Sequence, residues 1–195
     1  MTVWDTLRYG IAGWRLRPPE GPGLFSTHRR SLFGPMSAVL AFVALIEAAV
    51  VHVLIVVLGG PEALAWALTA LTLYGLLFMA ALYHGVRLNP VAVTDQGLSI
   101  HRPIGGRVEL PWSAIGGVEQ VAVAPPRAPD LLPAGVPFGA VNIVLNLARP
   151  LDPAAVWPAK GRIDRIGLTL DDPAGFAAAV GTRLPVAAGA ATQAG

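Results

Sequence analysis

Two ionisable side chains, Glu47 and His52, stand inside an otherwise apolar run, AVLAFVALIEAAVVHVLIVVL, from Ala38 to Leu58. A carboxyl and an imidazole can carry protons, ligate cations or tie helices together by hydrogen bonds. In hydrocarbon each costs ~2.5 kcal/mol or more if charged and facing lipid. Both are therefore expected to face protein. Their five-residue spacing is roughly 140° around a helix, so they do not share a metal-binding face as an i, i+4 pair would. A second apolar run, ALAWALTALTLYGLLFMAALY, extends from Ala63 to Tyr83 beyond the connector Gly59-Gly60-Pro61-Glu62. In a tight antiparallel pair, residues whose numbers sum to about 121 lie opposite each other. Glu47 then meets Tyr74, and His52 meets Thr69. Three uses of this intramembrane polar set remain open on sequence: interhelical hydrogen bonding, a proton, ion or ligand site, and contact with a partner helix. Two spans scarcely enclose a conduction path, so transport would need a larger assembly.

A second group, His101, Arg102 and Arg107, flanks Gly105-Gly106. Basic side chains beside a glycine turn with free amides suit an anion or a partner contact; the alternative is a solvated hairpin tip. Catalytic chemistry finds little material. There is no phosphate-binding glycine loop, dinucleotide fingerprint, nucleophile elbow or His pair at metal-ligand spacing. Strand alternation puts Ser99 and His101 side by side on one face, and Asp171 and Asp172 open a helix. Cysteine is absent, which excludes disulfides, thiolate metal sites and a cysteine nucleophile. No enzyme activity, cofactor or metal is expected. A net charge of +2 is too small to argue for nucleic acid.

The elements that must hold these groups are legible. Hydrophobic content of 54% with only 13% charged residues departs from the roughly 25% charge of soluble domains. Each apolar run has about 21 residues, or about 32 Å of helix, matching a bilayer core of about 30 Å. Arg8, Arg15, Arg17, Arg29 and Arg30 precede the hairpin, its connector has no Lys or Arg, and Arg87 follows it. The positive-inside rule places both termini in the cytoplasm. Thirteen of the fourteen cationic residues are Arg, with Lys160 the exception, beside much Ala, Gly and Pro; that bias fits a GC-rich bacterial genome and hence a multi-pass protein of the bacterial inner membrane.

Residues 1–35 read as a basic amphipathic segment followed by a linker. Val3, Leu7, Ile11 and Trp14 share a helical face, and Thr2 with Asp5 suits a capping box. Such a helix lies in the headgroup region or packs on the protein's own soluble domain. Gly10 and Gly13 weaken it in isolation, and Pro18, Pro19, Gly21, Pro22 and Gly23 break it. Residues 36–88 form the hairpin and residues 89–184 a small β domain. Strands are expected at Val91–Thr94, Leu98–Arg102, Arg107–Leu110, Ile115–Val123, Ala140–Leu147 and Ile163–Leu170. A helix starts at Asp171-Asp172-Pro173. Ala124–Gly139 is too rich in Pro for regular structure and reads as mobile or as a binding loop. Trp157 near Lys160 reads as core packing or an interfacial anchor, and residues 185–195 as a disordered tail.

VAVTDQGLSIHRP, RVELPWSAIGGVEQVAV, NIVLNL and RIGLTLDDPAGFAAAV, in that order, resemble the successive strands and closing helix of bacterial pleckstrin-homology-like (PH-like) domains. The resemblance covers roughly Pro90 to Arg183 and rests on the Asp-Gln-Gly hairpin and the Pro-Trp-Ser-Ala-Ile step. It implies an antiparallel, partly open β-barrel capped by a C-terminal helix, used as a non-enzymatic binding or scaffolding module. In the eukaryotic relatives basic residues around the first hairpin hold phosphoinositides, whereas Asp95 and Gln96 stand there in this chain. The expected fold is thus a membrane α-helical hairpin plus an α+β domain. Its expected partners are the lipid bilayer and either a protein partner or a second copy in a homo-oligomer. The competing expectation is a subunit of a larger membrane assembly that uses Glu47 and His52 for proton or ion coupling.

Overall fold

The computed structural model describes residues 3–29, 31–102, 106–122, 130–134, 139–152 and 161–184. Three helices come first: α1 (Val3–Ala12), α2 (Phe33–Val57) and α3 (Glu62–Leu88). The last two are long and apolar enough to cross a membrane. Between them the chain turns where glycine allows it. Gly59 has φ +71°, and Gly60 N–H donates to Ile55 O at 2.8 Å. That six-to-one bond after a left-handed residue closes α2 as a Schellman cap does. Pro61 then precedes the first turn of α3, and its carbonyl accepts from Leu64 N–H at 3.0 Å.

Apart from a short strand between α1 and α2, the β region begins at Val91, directly after α3. One sheet has the order β1-β2-β3-β4, built from Leu24–Phe25, Val91–Val93, Gly97–Arg102 and Gly106–Pro111. The other has the order β5-β7-β8-β6, from Ile115–Gln120, Ile143–Leu151, Ile163–Leu168 and Leu131–Pro133. All neighbours are antiparallel except β6 and β8. Helix α4 (Pro173–Gly181) closes the domain, with Asp172 accepting from Gly175 N–H at its start. Leu98, Ile100 and Leu110 of the first sheet, Ile143, Leu145 and Ile166 of the second, and Phe176 and Val180 of α4 form one core. Period-two alternation supplies the first sheet's share, because Leu98 and Ile100 point inward while Ser99 and His101 do not.

Three expectations are revised. Among the described residues the strands make two separate sheets and no closed barrel. The Pro/Gly-rich linker contributes an edge strand, since Leu24 and Phe25 pair with Ala92 and Val91 and Phe25 meets Phe176 edge-on at 5.2 Å. The Pro-rich loop contributes β6, whose Leu131 to Pro133 pair with Arg165 to Gly167 of β8. Residues 124–129 and 135–138 of that loop, the segment with Trp157 and Lys160, Gly105 and the 185–195 tail lie outside the described residues.

Gly97 shows why the first hairpin needs a glycine. A β-carbon there would sit 2.0 Å from Leu110 O. Thr94 closes the turn through its Oγ1, which donates to Gly97 O at 2.8 Å. Trp112, from the Pro-Trp-Ser step, donates from Nε1 to the carbonyls of Thr94 and Asp95 at 3.2 and 3.1 Å. Arg183, just past α4, reaches the same tip and pairs with Asp95 at 3.0 Å.

Candidate functional site

Within the hairpin, His52 and Thr69 meet. His52 Nδ1 lies 2.9 Å from Thr69 Oγ1, and that hydroxyl donates to Ala65 O at 2.9 Å. A threonine has one proton to give, so Thr69 accepts from His52, which assigns the His52 proton to Nδ1. Trp66 packs edge-on to the imidazole at 4.8 Å and donates to Glu62 Oε1 at 3.3 Å. The arrangement is a clasp between helices near the connector.

Glu47 and Tyr74 do not join it. Both are exposed, and among the described residues neither has a hydrogen bond or ion pair, in contrast to the expectation that Glu47 faces protein. The reason is angular. Half-buried positions on α2 recur at Ala41, Ala44, Ala48, Val51 and Ile55, and Glu47 falls beside that stripe. The register brings Tyr74 to the same depth without bringing the two side chains together.

Helix α1 packs on α3. Its glycines make this approach. A β-carbon at Gly10 would lie 2.5 Å from Leu77 Cδ1, and one at Gly13 2.5 Å from His84 Cγ. Glycines that cost an isolated helix stability here let two backbones close up. Trp14 stacks edge-on against His84 at 4.6 Å. Arg87 donates to Gly13 O at 3.0 Å and to Leu16 O, supplying a cation at the carbonyl end of the turn that follows α1. None of these contacts was read from the sequence. The available signal was two glycines inside an otherwise helical pattern.

A second junction ties the N-terminal segment to α4. Ser26 Oγ donates to Asp171 Oδ2 at 2.6 Å, Arg29 N–H donates to the same oxygen at 3.0 Å, and Asp171 N–H donates to Ser26 O at 2.9 Å. His28 sits beside this knot. Burial holds its imidazole below the ordinary value; Asp171 opposes that shift, and Arg29 and Arg87 reinforce it.

A groove of about 890 Å³ runs from the exit of α3 at Leu88, Asn89 and Pro90 across the outer face of the first sheet. His101 and Arg107, partners across β3 and β4, line it. Arg102 does not. Alternation turns it to the inner side, where it is 7% exposed and burial pulls its guanidinium below the ordinary range. The expected basic trio is therefore a pair. That pair is also balanced, since Glu109 on the same face accepts from Ser99 Oγ at 3.0 Å and lies 3.8 Å from Arg107 Nε. A groove of mixed charge with Asn89, Gln96 and Ser99 suits an extended polar segment better than a lone anion. Comparison with family models, with curated proteins and with solved structures finds no match to this chain.

Proposed function

We propose that the protein is a membrane-anchored, non-enzymatic binding or scaffolding module, which holds a PH-like domain against the cytoplasmic face of a bacterial plasma membrane and docks a protein partner there. The observation that carries this reading is the short coupling between membrane helix and sheet. Helix α3 ends at Leu88 and β2 begins at Val91, and the groove spans that junction. A partner lying in it would touch the helix exit and the domain together. The order of two sheets followed by a closing helix supports the PH-like reading, with the Asp-Gln-Gly turn pinned by Trp112. Ser99, Glu109 and Arg107 in the groove are engaged with one another, which favours recognition over chemistry.

The test is crosslinking in native membranes followed by purification in mild detergent. Wild-type protein is expected to retain a stoichiometric protein partner, and Arg107→Glu with Ser99→Arg to lose it while remaining membrane-bound. Capture indifferent to both changes overturns the docking reading. Protease protection of the β domain in inside-out vesicles overturns the cytoplasmic placement.

A further inference from the structure

A recess of about 400 Å³ lies between α2 and α3 at the end of the hairpin away from the Gly59-Gly60 turn. Gly34, Ala38 and Ala41 line it from α2, and Leu76, Met79 and Ala80 from α3. Small side chains on α2 leave the space unfilled, and Ala38 is exposed, so the recess is open at the surface of the hairpin. His84 also lines it. That residue is 0% exposed, with Trp14 and Tyr83 edge-on to its ring at 4.6 and 5.3 Å. Among the described residues neither of its ring nitrogens has a hydrogen-bond partner. A buried donor without an acceptor is costly, and the recess is where an acceptor can enter.

A second, polar recess of about 260 Å³ is lined by His28, Arg29 and Arg87 together with Glu20 and Ser26. The two are neighbours. The ring of Tyr83 in the first lies 6.5 Å from that of His28 in the second, and Leu76, Ala80, Tyr83 and Arg87 follow one face of α3 at steps of four, three and four. His28 Nδ1 and Arg87 Nε are buried without hydrogen-bond partners among the described residues. The carboxylates nearby are already engaged: Glu20 with Arg29 at 3.1 Å in an exposed ion pair, and Asp171 with Ser26 Oγ and Arg29 N–H. An exposed pair of that kind exchanges at little cost, which leaves the recess basic.

Along α3 the order is thus a guanidinium at Arg87, an imidazole at His84 about 4.5 Å deeper, and then apolar wall at Ala80, Met79 and Leu76. A phospholipid has the same order: phosphate, ester carbonyl, acyl chain. We propose that the two recesses form one site for a phospholipid with a net anionic headgroup. Its phosphate lies against His28, Arg29 and Arg87, an ester carbonyl accepts from His84, and an acyl chain fills the space between α2 and α3. The apolar volume falls within the range of small-molecule sites, about 300–1,000 Å³ with few polar groups. A free phosphate shares the headgroup chemistry but leaves His84 and the apolar recess without a partner. The site rests on the hairpin spanning the bilayer with both ends cytoplasmic, which sets this end of it in the inner leaflet, where anionic lipids attract basic groups.

The experiment is native mass spectrometry of full-length protein in detergent micelles titrated with phosphatidylglycerol, phosphatidylcholine or inorganic phosphate, with alkaline extraction of membranes as an insertion control. Wild type is expected to retain one phosphatidylglycerol per chain in preference to phosphatidylcholine, and to retain no inorganic phosphate. Arg29→Gln changes an exposed side chain and, combined with Arg87→Gln, should weaken phosphatidylglycerol binding roughly tenfold; Arg29→Lys should keep the preference. Ala38→Trp, which fills the recess, should lower retention of both lipids, while Leu71→Trp, the same bulk at a position 66% exposed, should not. Equal retention of the two lipids, variants that bind phosphatidylglycerol as wild type does, or equal losses at Ala38→Trp and Leu71→Trp overturn the site. Retention of inorganic phosphate as firmly as of lipid reduces it to an anion site and overturns the lipid assignment. Extraction of wild type by alkali overturns instead the membrane reading beneath it.

Discussion

The β domain and the helix α2 are both rich in apolar side chains, and the molecule treats them in opposite ways. In the domain Leu98 is 1% exposed and Ile100 and Phe176 are 0%, while on α2 Phe42 is 64% exposed and Val57 74%. The domain's hydrophobic side chains find their partners within the chain, from two sheets and a helix separated widely in sequence. Those of α2 wait for a medium the chain does not supply, which is what a lipid-facing surface requires. Large exposed apolar patches otherwise mark interaction surfaces.

The sharpest way to break that contrast is to truncate one aromatic from each region. Phe176→Ala should cost about 3–5 kcal/mol, because it empties the centre of a closed core, whereas Phe42→Ala should stay within about 0.5 kcal/mol, as surface changes do. Denaturant titration of full-length protein in micelles checks both, and equal losses would mean that α2 is covered by protein. Next in size is the α1 contact. Gly10→Leu would force a side chain into Leu77 and should cost about 1–3 kcal/mol, seen as faster amide exchange in α1. Gly75→Ala, with nothing within 4 Å of the new carbon, is the matched control and should leave exchange unchanged.

The clasp between α2 and α3 comes third. Thr69→Val should cost about 0.6–2 kcal/mol, the worth of an interhelical hydrogen bond, measured by unfolding in bicelles. An effect on function with no effect on stability would instead make His52 a working residue. The smallest expected effects are in pH. His28 titrates below its ordinary value of about 6.5 in the folded protein, so the unfolded chain takes up a proton first as pH falls. Stability at the Ser26–Asp171 junction is full above about 6.5 and declines as pH drops through it. Amide exchange around Ser26 at pH 7 and pH 5 measures this, and His28→Gln should flatten the difference. Asp130 is held low by its two hydrogen bonds from Arg165, at 2.8 and 3.1 Å. Its contribution to anchoring β6 is present above about pH 4 and lost as pH falls further; Arg165→Gln should remove that acid-sensitive step from the exchange of β6.

Much of this was legible along the chain because it is written in local periodicity. The lengths of the apolar runs gave two helices, Gly59-Gly60-Pro61 gave their turn, alternation at Leu98 and Ile100 gave an inward face, and Asp172-Pro173 gave the start of α4. The meeting of His52 with Thr69 followed from antiparallel register, which is arithmetic once the turn is located. Other features depended on partners that local pattern does not name. Leu24–Phe25 is too short and too surrounded by Pro and Gly to read as a strand, and it becomes one because Val91 and Ala92 offer an open edge. Leu131–Pro133 becomes a strand because Arg165 clamps Asp130 beside β8.

The amino-acid sequence by itself determined the four helices and the strands with clear periodicity, where they turn, and that α2 and α3 are long enough to cross a membrane, since each follows from neighbours a few residues apart. Only the tertiary structure decided that α1 docks on α3 through Gly10 and Gly13, that Ser26 is tied to Asp171 at the far end of the chain, that Arg102 turns inward, and that Glu47 faces outward. Those outcomes depend on rotation and close approach between elements, which a one-dimensional pattern leaves free and which packing in three dimensions fixes.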